Sequence, residues 1–353
     1  MTADTLLRGV SALFSPNRRR TQRVAVEQEL TTRDALDGSV VLVDRVRRAT
    51  RGASYATSLG FEPGGRVELS LPCSPTVTEL ERQVHAAVGD LRSDCAAAGV
   101  LLDDDPVDSR GCEVPLQLVS PRYVEMQQHF DRIGPAGRRM MRLTASTQIC
   151  LDWWPGRAGL EQWRLSQLAA PILAALFARA HGPTSRLATW LAVDPGRTAF
   201  DDRLLGDDPV RRYCAFAATA QPFALPDEPA AVVAHHLSTL FPPVRPRGRY
   251  LEFRCLDAQQ EDQVVVAAAL LATLLYDDET RRDGLRLLSV EGPHLESLWR
   301  SAALSPGALA GQGRELVDLA IDGIARMSRG YLPVDAADRQ RELIETPALV
   351  GVA

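Results

Sequence analysis

The chain has 353 residues, 40 basic and 45 acidic, and a formal net charge of -5. Every basic residue is an arginine, so the chain lacks the lysine that a P-loop, a Schiff-base enzyme or a protein kinase requires. The negative charge argues against a general nucleic-acid-binding protein, which is usually basic. Any bound phosphate must therefore be held by arginine, backbone N–H groups or a metal ion.

The cysteines and the apolar segments favour a reduced, cytoplasmic globular protein. No two of the six cysteines have the CxxC spacing of a zinc or redox site, and no signal peptide is visible. The longest apolar run, 264–276, has 13 residues, fewer than the ~20 that a membrane-spanning helix needs. We expect a buried helix there and no membrane partner.

The predicted elements form one domain. Residues 1–20 are expected to form an N-terminal arm, which is a solvated tail with an arginine cluster at 18–20. Residues 21–335 are expected to form a single catalytic domain. Residues 336–353 are expected to form a C-terminal helix and tail. Period-two alternation predicts strands at 23–30, 66–71, 144–152 and 250–256. Helices are expected after a capping box at Thr78 and Glu81, from Pro121 to about 133, and at 160–180, 264–276, 313–329 and 336–344. Loops are expected at 102–113, 194–209 and 221–249.

One face of the predicted sheet gathers charged and amide side chains. Because alternate strand residues share a face, this face carries Glu27, Glu29, Arg66, Glu68, Gln148, Glu252 and Arg254, while Gln28 points away from it. A solvated sheet face is the plain alternative, but like charges on neighbouring strands repel and glutamate is a poor strand former. Hard cations such as Mg²⁺ would make the cluster favourable. With arginine alongside, the pattern is typical of phosphoryl transfer.

Five segments resemble, in order, the motifs of glutamate–cysteine ligases of the plant and actinobacterial type. The segments are AVEQEL at 25–30, FEPGGRVELS at 61–70 (similar to the family's EPGGQxELS), GPAGRRMMRLTASTQICLDW at 134–153, TSRLATWLAVDPGRTAF at 184–200 and LFPPVRPRGRYLEFRCLDAQ at 240–259. The last two most resemble the bacterial ergothioneine-pathway branch. The resemblance covers about 25–335 and leaves 336–353 outside it.

The resemblance implies a fold and a reaction. The fold is α+β, a curved antiparallel sheet with helices on its outer face, related to the glutamine synthetase catalytic domain. In the implied reaction, ATP phosphorylates the γ-carboxylate of L-glutamate, the amine of L-cysteine attacks the γ-glutamyl phosphate, and γ-glutamylcysteine forms. Mg²⁺ ions would bridge the carboxylates and phosphates. The implied partners are these small molecules, and no obligate protein partner is inferred.

The same resemblance implies roles for individual residues. Metal-site positions are Glu27, Glu29, Glu62, Glu68, Gln148 and Glu252. Arg186 resembles an arginine that holds the α-carboxylate of glutamate, where a guanidinium fork suits the geometry. Arg197 and Arg254 resemble ATP-binding arginines that face phosphate, and Arg254 and Arg186 are the expected catalytic residues. Arg122 is expected to touch the acceptor substrate, with a surface salt bridge as an equal alternative.

One departure and two alternatives stay open at this point. Cys150 stands where the broader family often has asparagine, and a thiol cannot replace an oxygen ligand of Mg²⁺. The chain could instead be a ligase of this family that uses a different amine acceptor. It could also be a non-catalytic nucleotide-binding homologue.

Overall fold

The computed structural model describes residues 1–111, 113–289 and 295–345. The seven described strands are β1 (Val24–Asp34), β2 (Leu59–Phe61), β3 (Val67–Ser70), β4 (Val100–Asp103), β5 (Ser146–Asp152), β6 (Val244–Pro246) and β7 (Tyr250–Asp257). The described helices are α1 (Ala3–Leu13), α2 (Val43–Ala49), α3 (Val77–Ala97), α4 (Pro121–Asp131), α5 (Ala136–Leu143), α6 (Gly156–Leu176), α7 (Arg186–Leu191), α8 (Pro195–Thr198), α9 (Pro209–Thr219), α10 (Pro229–Ser238), α11 (Glu261–Tyr276), α12 (Asp278–Leu288), α13 (Leu295–Leu304), α14 (Ala310–Ile324) and α15 (Ala336–Ile344). Among these residues, none of the helices combines the length and apolarity needed to cross a membrane.

The four predicted strands lie side by side in one antiparallel sheet. The strand order is β2-β3-β1-β5-β7-β6, and β4 pairs with the end of β1. The register aligns Glu29 with Glu68 on β3 and Glu27 with Gln148 on β5. The predicted polar face is therefore assembled from strands that are distant in sequence. The segment 102–113 was expected to be a loop, but its start belongs to β4, since residues 100–103 pair with residues 31–34.

Helices α3, α6 and α11 cover the apolar face of the sheet. Val26, Ile149 and Phe253 point into this core and are at most 1% exposed. The apolar run 264–276 lies within α11 and is buried throughout, as predicted. Gln28 also lies on this side, where its amide donates to the Gln259 carbonyl at 2.7 Å, so it points away from the polar face as expected.

Several helix boundaries differ from the predictions. Helix α3 begins two residues earlier than the predicted capping box, because the Thr76 hydroxyl accepts a hydrogen bond from the Glu79 N–H at 3.0 Å. Helix α5 was not expected. The segment 221–249 was expected to be a loop but contains α10 and β6, and α14 ends at Ile324 instead of 329.

The N-terminal arm is only partly the solvated tail that was expected. Residues Ala3–Leu13 form α1, which packs against α9 and α10 and buries Leu6 and Val10. Phe14 then contacts Trp153, Trp163 and Tyr213 edge to face. The arginine cluster at 18–20 is exposed, as expected. Burial of one apolar face explains why this short helix is held to the domain.

Candidate active site

A cleft of about 450 Å³ opens over the polar face of the sheet, between β1, β3, β5 and β7 and the helices α4, α5 and α7. Eight of the predicted site residues line it: Glu27, Glu29, Glu62, Glu68, Gln148, Arg122, Arg186 and Arg254. The cleft also contains residues that the sequence did not assign to a site, among them Arg66, Tyr123, Ser146, Arg245 and Arg247. A concave site with converging polar groups is the usual form of a small-molecule site.

Three carboxylates converge at one end of the cleft and form what we call the carboxylate triad: Glu29, Glu62 and Glu68. One oxygen of each lies within 4.8 Å of the others. Glu29 and Glu68 meet because they are register partners of β1 and β3. Glu62 joins them through a tight turn in which the Gly65 N–H donates to the Glu62 carbonyl at 2.8 Å. Gly65 has a φ of +90°, a conformation that other residues rarely adopt.

The triad carries more negative charge than its surroundings neutralise. Burial, and then neighbouring carboxylates, raise the pKa of Glu62 and of Glu68. Arg66 is the nearest cation, with guanidinium nitrogens 3.9 Å from both Glu29 and Glu62. A buried cluster of like charges is unfavourable unless a cation shares it. The triad therefore has the donor type and the charge that Mg²⁺ prefers.

Ser146 and Gln148 orient the triad from β5. Glu29 accepts hydrogen bonds from the Ser146 N–H at 3.0 Å, the Ser146 hydroxyl at 2.7 Å and the Gln148 amide at 3.2 Å. The amide oxygen of Gln148 is buried and has no hydrogen-bond partner among the described residues. A buried acceptor without a partner is costly. This oxygen fits a further ligand atom beside the triad.

Glu252 does not join the triad. It is 1% exposed, and both of its carboxylate oxygens are bonded to guanidinium groups that we call the arginine cluster: Arg245, Arg247 and Arg254. Arg245 forms a fork, in which Nη2 donates to Oε1 at 2.7 Å and Nε donates to Oε2 at 3.2 Å, and Arg254 donates to Oε1 at 2.9 Å. Burial alone would raise the pKa of Glu252, but the three arginines hold it below its usual value.

The prediction of Glu252 as a metal ligand is therefore not supported by the geometry. A cation at this carboxylate would have to displace arginines already bonded to it and would lie among three positive charges. The sequence missed this because Arg245 reaches Glu252 only through the pairing of β6 with β7. A usable signal was present: Arg245 and Arg247 alternate with Val244 and Pro246, which indicates a strand with both arginines on one face.

Arg186 and Arg254, the two residues expected to be catalytic, lie next to each other in the cleft, and their catalytic role stays a prediction. The Ser185 hydroxyl accepts a hydrogen bond from the Ala188 N–H at 3.1 Å and starts α7, which brings Arg186 to the sheet. Arg186 is 3% exposed, donates to the Arg254 carbonyl at 2.8 Å and stacks on Trp190. The Nε of Arg254 is buried without a partner among the described residues. Both guanidiniums are thus placed by the protein before any substrate is bound.

Arg197, predicted to face phosphate, lies outside the cleft. It is fully buried, and its donors reach the Asp194 carboxylate at 3.0 Å, the Thr239 hydroxyl at 2.7 Å and the Gln221 carbonyl. Its guanidinium also stacks on Phe223. The assignment to ATP is thus wrong for this geometry: Arg197 connects α8 to the loops before and after α10. Arg122, by contrast, lines the cleft and donates to the Ser238 hydroxyl at 2.8 Å.

Cys150 is buried on β5, between Ala25 on β1 and Glu252 on β7. Burial first, and then Glu252 and Glu27, raise the pKa of its thiol well above the ordinary value. The side chain is therefore a neutral thiol and does not line the cleft.

Comparison with known proteins gives a consistent result. The family model described as glutamate-cysteine ligase family 2 (GCS2) matches residues 19–309. The glutamate–cysteine ligase EgtA of Mycolicibacterium smegmatis is 33% identical over 263 residues, 62% of this chain and 59% of the relative. The glutamate–cysteine ligase EgtA of Mycobacterium tuberculosis is 32% identical over 289 residues, which make up 69% of this chain and 64% of the relative. The chloroplastic glutamate–cysteine ligase of Arabidopsis thaliana is 25% identical over 344 residues, which make up 82% of this chain and 63% of the relative. The chain spans about three fifths of the length of these relatives.

Two solved structures share the fold. A bifunctional glutathione synthetase from Pasteurella multocida superposes with a TM-score of 0.54 at 12% identity, covering 99% of this chain and 50% of that one. The ligase PafA, in complex with the ubiquitin-like protein Pup, gives a TM-score of 0.50 at 12% identity. The match covers 96% of this chain and 65% of that one. At this identity the likeness concerns the fold alone. The antiparallel sheet with helices on its outer face confirms the α+β fold expected from the sequence.

Proposed function

Because the chain belongs to glutamate–cysteine ligase family 2, we propose that it joins the γ-carboxylate of L-glutamate to the amine of L-cysteine at the expense of ATP. The observation that carries the proposal is the division of one cleft into a carboxylate triad and an arginine cluster. Such a division suits a reaction in which a metal-bound polyphosphate and an anionic amino acid meet.

The reaction has two steps. An oxygen of the γ-carboxylate attacks the terminal phosphorus of ATP, and ADP leaves with γ-glutamyl phosphate formed. The amine of L-cysteine then attacks the acyl carbon, the C–O bond to phosphate breaks, and γ-glutamylcysteine and inorganic phosphate are released. The attacking amine loses a proton. No arginine can take it near neutral pH, so we assign it to the departing phosphate, a carboxylate or water.

The triad is the proposed Mg²⁺ site, with the orphaned amide oxygen of Gln148 beside it. When bound, Mg²⁺ would neutralise charge on the phosphate oxygens and so favour attack at phosphorus. The chain's own contribution is orientation: Ser146 and Gln148 hold Glu29, and the glycine turn holds Glu62. Glu27, whose pKa is raised by burial and then by Glu252, lies between the triad and the arginine cluster.

The arginines account for the anionic groups of the substrates. We assign the α-carboxylate of L-glutamate to Arg186, which stacks on Trp190 and is held by the Arg254 carbonyl. Arg254 keeps a buried donor without a partner and is anchored by Glu252, so it suits the charge that develops on the transferred phosphoryl group. Arg122 and Tyr123 border the same cleft and are the proposed contacts of the acceptor amino acid.

The pathway assignment rests on the relatives. EgtA proteins at 32% and 33% identity are glutamate–cysteine ligases, and we propose that the product of this chain enters ergothioneine biosynthesis in the cytoplasm. The two rival functions remain testable alongside it. A ligase with an altered acceptor pocket would use a different amine as its acceptor substrate. A non-catalytic homologue would bind nucleotide without turnover.

The decisive experiment measures phosphate release from ATP with Mg²⁺ and L-glutamate, with and without an amine. L-cysteine is compared with L-serine, L-alanine and 2-aminobutyrate, and the product is identified by mass spectrometry. Release that depends on L-cysteine and yields γ-glutamylcysteine supports the proposal. Release with another amine alone identifies a ligase of different specificity. Nucleotide binding without release under any condition would sink the enzyme hypothesis.

A further inference from the structure

The pairing of β5 with β7 is interrupted beside the cleft by a β-bulge. Along β5 the register advances two residues, from Ile149 to Thr147, while along β7 it advances three, from Phe253 to Leu256. One residue of β5 therefore faces two residues of β7, those at 254–255. A bulge of this kind re-aims the side chains that follow it and is frequent next to active sites. The function argued above has not used this feature.

The bulge places Asp257 on the cleft side of the sheet. Strict alternation from the buried Phe253 would direct the side chain of residue 257 into the core. The extra residue shifts the alternation by one position, so Asp257 is the register partner of Ser146, which lines the cleft. Cross-strand partners share a face of the sheet. Asp257 is only 4% exposed and is not itself among the residues that line the cleft.

The bulge and Asp257 together surround the guanidinium of Arg186. Its Nη2 donates to the Arg254 carbonyl at 2.8 Å, and its Nη1 lies 3.5 Å from the Cys255 carbonyl oxygen. Nη1 also lies 3.8 Å from Oδ1 of Asp257. The two bulge residues thus supply the carbonyl oxygens, and the residue that the bulge re-aims supplies the negative charge.

Asp257 is fixed independently of Arg186. Its Oδ2 accepts hydrogen bonds from the backbone N–H groups of Arg179 at 3.0 Å and Ala180 at 3.3 Å, in the segment between α6 and α7. The separation of Oδ1 from Arg186 is longer than a hydrogen bond. Asp257 therefore stabilises the charge of Arg186 without itself occupying one of its N–H groups.

A second carboxylate competes for Arg186. Burial lowers the pKa of Arg186, and Asp257 first and then Glu29 oppose this effect. Glu29 lines the same cleft and belongs to the carboxylate triad, whose charge its surroundings do not neutralise. Without the charge of Asp257, attraction to Glu29 would draw the guanidinium toward the triad. An ion pair within the protein would then take the place of a bound substrate anion and of a bound cation.

We propose that Asp257 and the bulge of β7 hold Arg186 ready for the α-carboxylate of L-glutamate and keep it apart from the carboxylate triad. This proposal rests on the proposed function, because it takes L-glutamate to be the ligand of Arg186. Asp257 is a positioning residue and makes no contact with the substrate. It leaves the guanidinium available to the substrate anion and leaves the triad available to Mg²⁺.

The test is calorimetric titration of the full chain with Mg²⁺ alone, and with L-glutamate in the presence of Mg²⁺ and the non-hydrolysable β,γ-methylene analogue of ATP. Asp257→Asn removes the charge and keeps an oxygen that can accept the two backbone N–H groups. The variant should bind L-glutamate about tenfold more weakly, because an ion pair with Glu29 must first be broken. It should bind Mg²⁺ about threefold more weakly, because the guanidinium competes for the triad.

Three comparisons isolate the role of Asp257. Asp152→Asn makes the same change at another aspartate of the β5–β7 pair, which is also 4% exposed, is paired with Arg23 at 2.9 Å and lies outside the cleft. It should leave both affinities unchanged. Asp257→Glu keeps the charge and should lose clearly less affinity than Asp257→Asn. Added to Arg186→Lys, Asp257→Asn should cause little further loss of L-glutamate binding, since both changes act on one contact.

The outcomes separate this proposal from the proposed function. Wild-type affinities of Asp257→Asn overturn the proposal, and so does an equally large loss when Arg186 is already lysine, because Asp257 would then act through the fold. If asparagine prevents folding, Asp257→Glu decides: retained binding of both ligands supports the proposal, and lost L-glutamate binding in a folded chain overturns it. Failure of both variants to fold shows a structural aspartate and also overturns it.

The Mg²⁺ titration needs neither L-glutamate nor turnover. A wild-type chain that binds Mg²⁺ but not L-glutamate therefore contradicts the proposed function, while weaker Mg²⁺ binding by Asp257→Asn still supports the placement of Arg186. Conversely, a chain that makes γ-glutamylcysteine while Asp257→Asn keeps the wild-type affinities retains its function and loses this role for Asp257.

Discussion

Replacing Glu252 by glutamine distinguishes an arginine anchor from a metal ligand. The substitution keeps the shape of the side chain and removes the carboxylate charge that forms ion pairs with three guanidiniums. Removing one partner of a buried ion pair costs about 3–5 kcal/mol, and glutamine keeps one acceptor oxygen, so we expect a loss of about 3 kcal/mol. For a chain of 353 residues that corresponds to a fall in Tm of roughly 4 °C.

Two quantities are measured for each variant. The first is the Tm in the absence of Mg²⁺, and the second is the Mg²⁺ concentration that gives half-maximal activity. The matched control is Glu68→Gln, the same chemical change within the triad. There burial and neighbouring carboxylates raise the pKa and already favour the neutral acid, so the neutral glutamine should leave the Tm without Mg²⁺ equal or raise it. The reasoning is refuted when Glu252→Gln keeps the wild-type Tm and raises the Mg²⁺ requirement about tenfold, because a carboxylate that binds the metal would behave that way.

Three further predictions concern the cleft. Glu68→Gln should lower kcat about 100-fold while the circular dichroism spectrum is kept, because a proposed metal ligand is lost; loss of the fold instead would show a structural role. Arg186→Lys should raise the KM for L-glutamate about tenfold or more and leave that for ATP unchanged, since lysine cannot form the guanidinium fork; an unchanged KM for L-glutamate would refute the assignment. Burial and neighbouring carboxylates raise the pKa of Glu62 and Glu68. The metal-free fold therefore binds protons at these two carboxylates more tightly than the unfolded chain does. It loses stability as the pH rises above the ordinary pKa of glutamate. Mg²⁺ should therefore raise the Tm more at about pH 8 than at about pH 6, and equal shifts would contradict this account.

The sequence by itself determined the sheet and most of the cleft. Alternation in four strands placed Glu27, Glu29, Glu68 and Gln148 on one face, and the structure aligns these strands as neighbours. This worked because side chains alternate strictly along a strand, so the face of a residue is a local property. The apolar run 264–276 was likewise sufficient to predict the buried helix α11. The missing lysine, visible in the composition alone, left arginine as the side-chain cation for every anion that the site would bind.

Only the tertiary structure decided which charges neutralise one another. Glu252 and Glu68 have the same residue type and similar strand settings, yet one is bonded to arginines and the other faces carboxylates. Arg197 stands in a segment that resembles a family motif, but its donors are used by Asp194 and Thr239. The difference arises because ionic partners are set by strand register and helix docking between distant segments, and distance governs the strength of a charge interaction. The packing of α1 beside Arg245 and Arg247 was decided in the same way, since it depends on α10 and β6 being brought next to it.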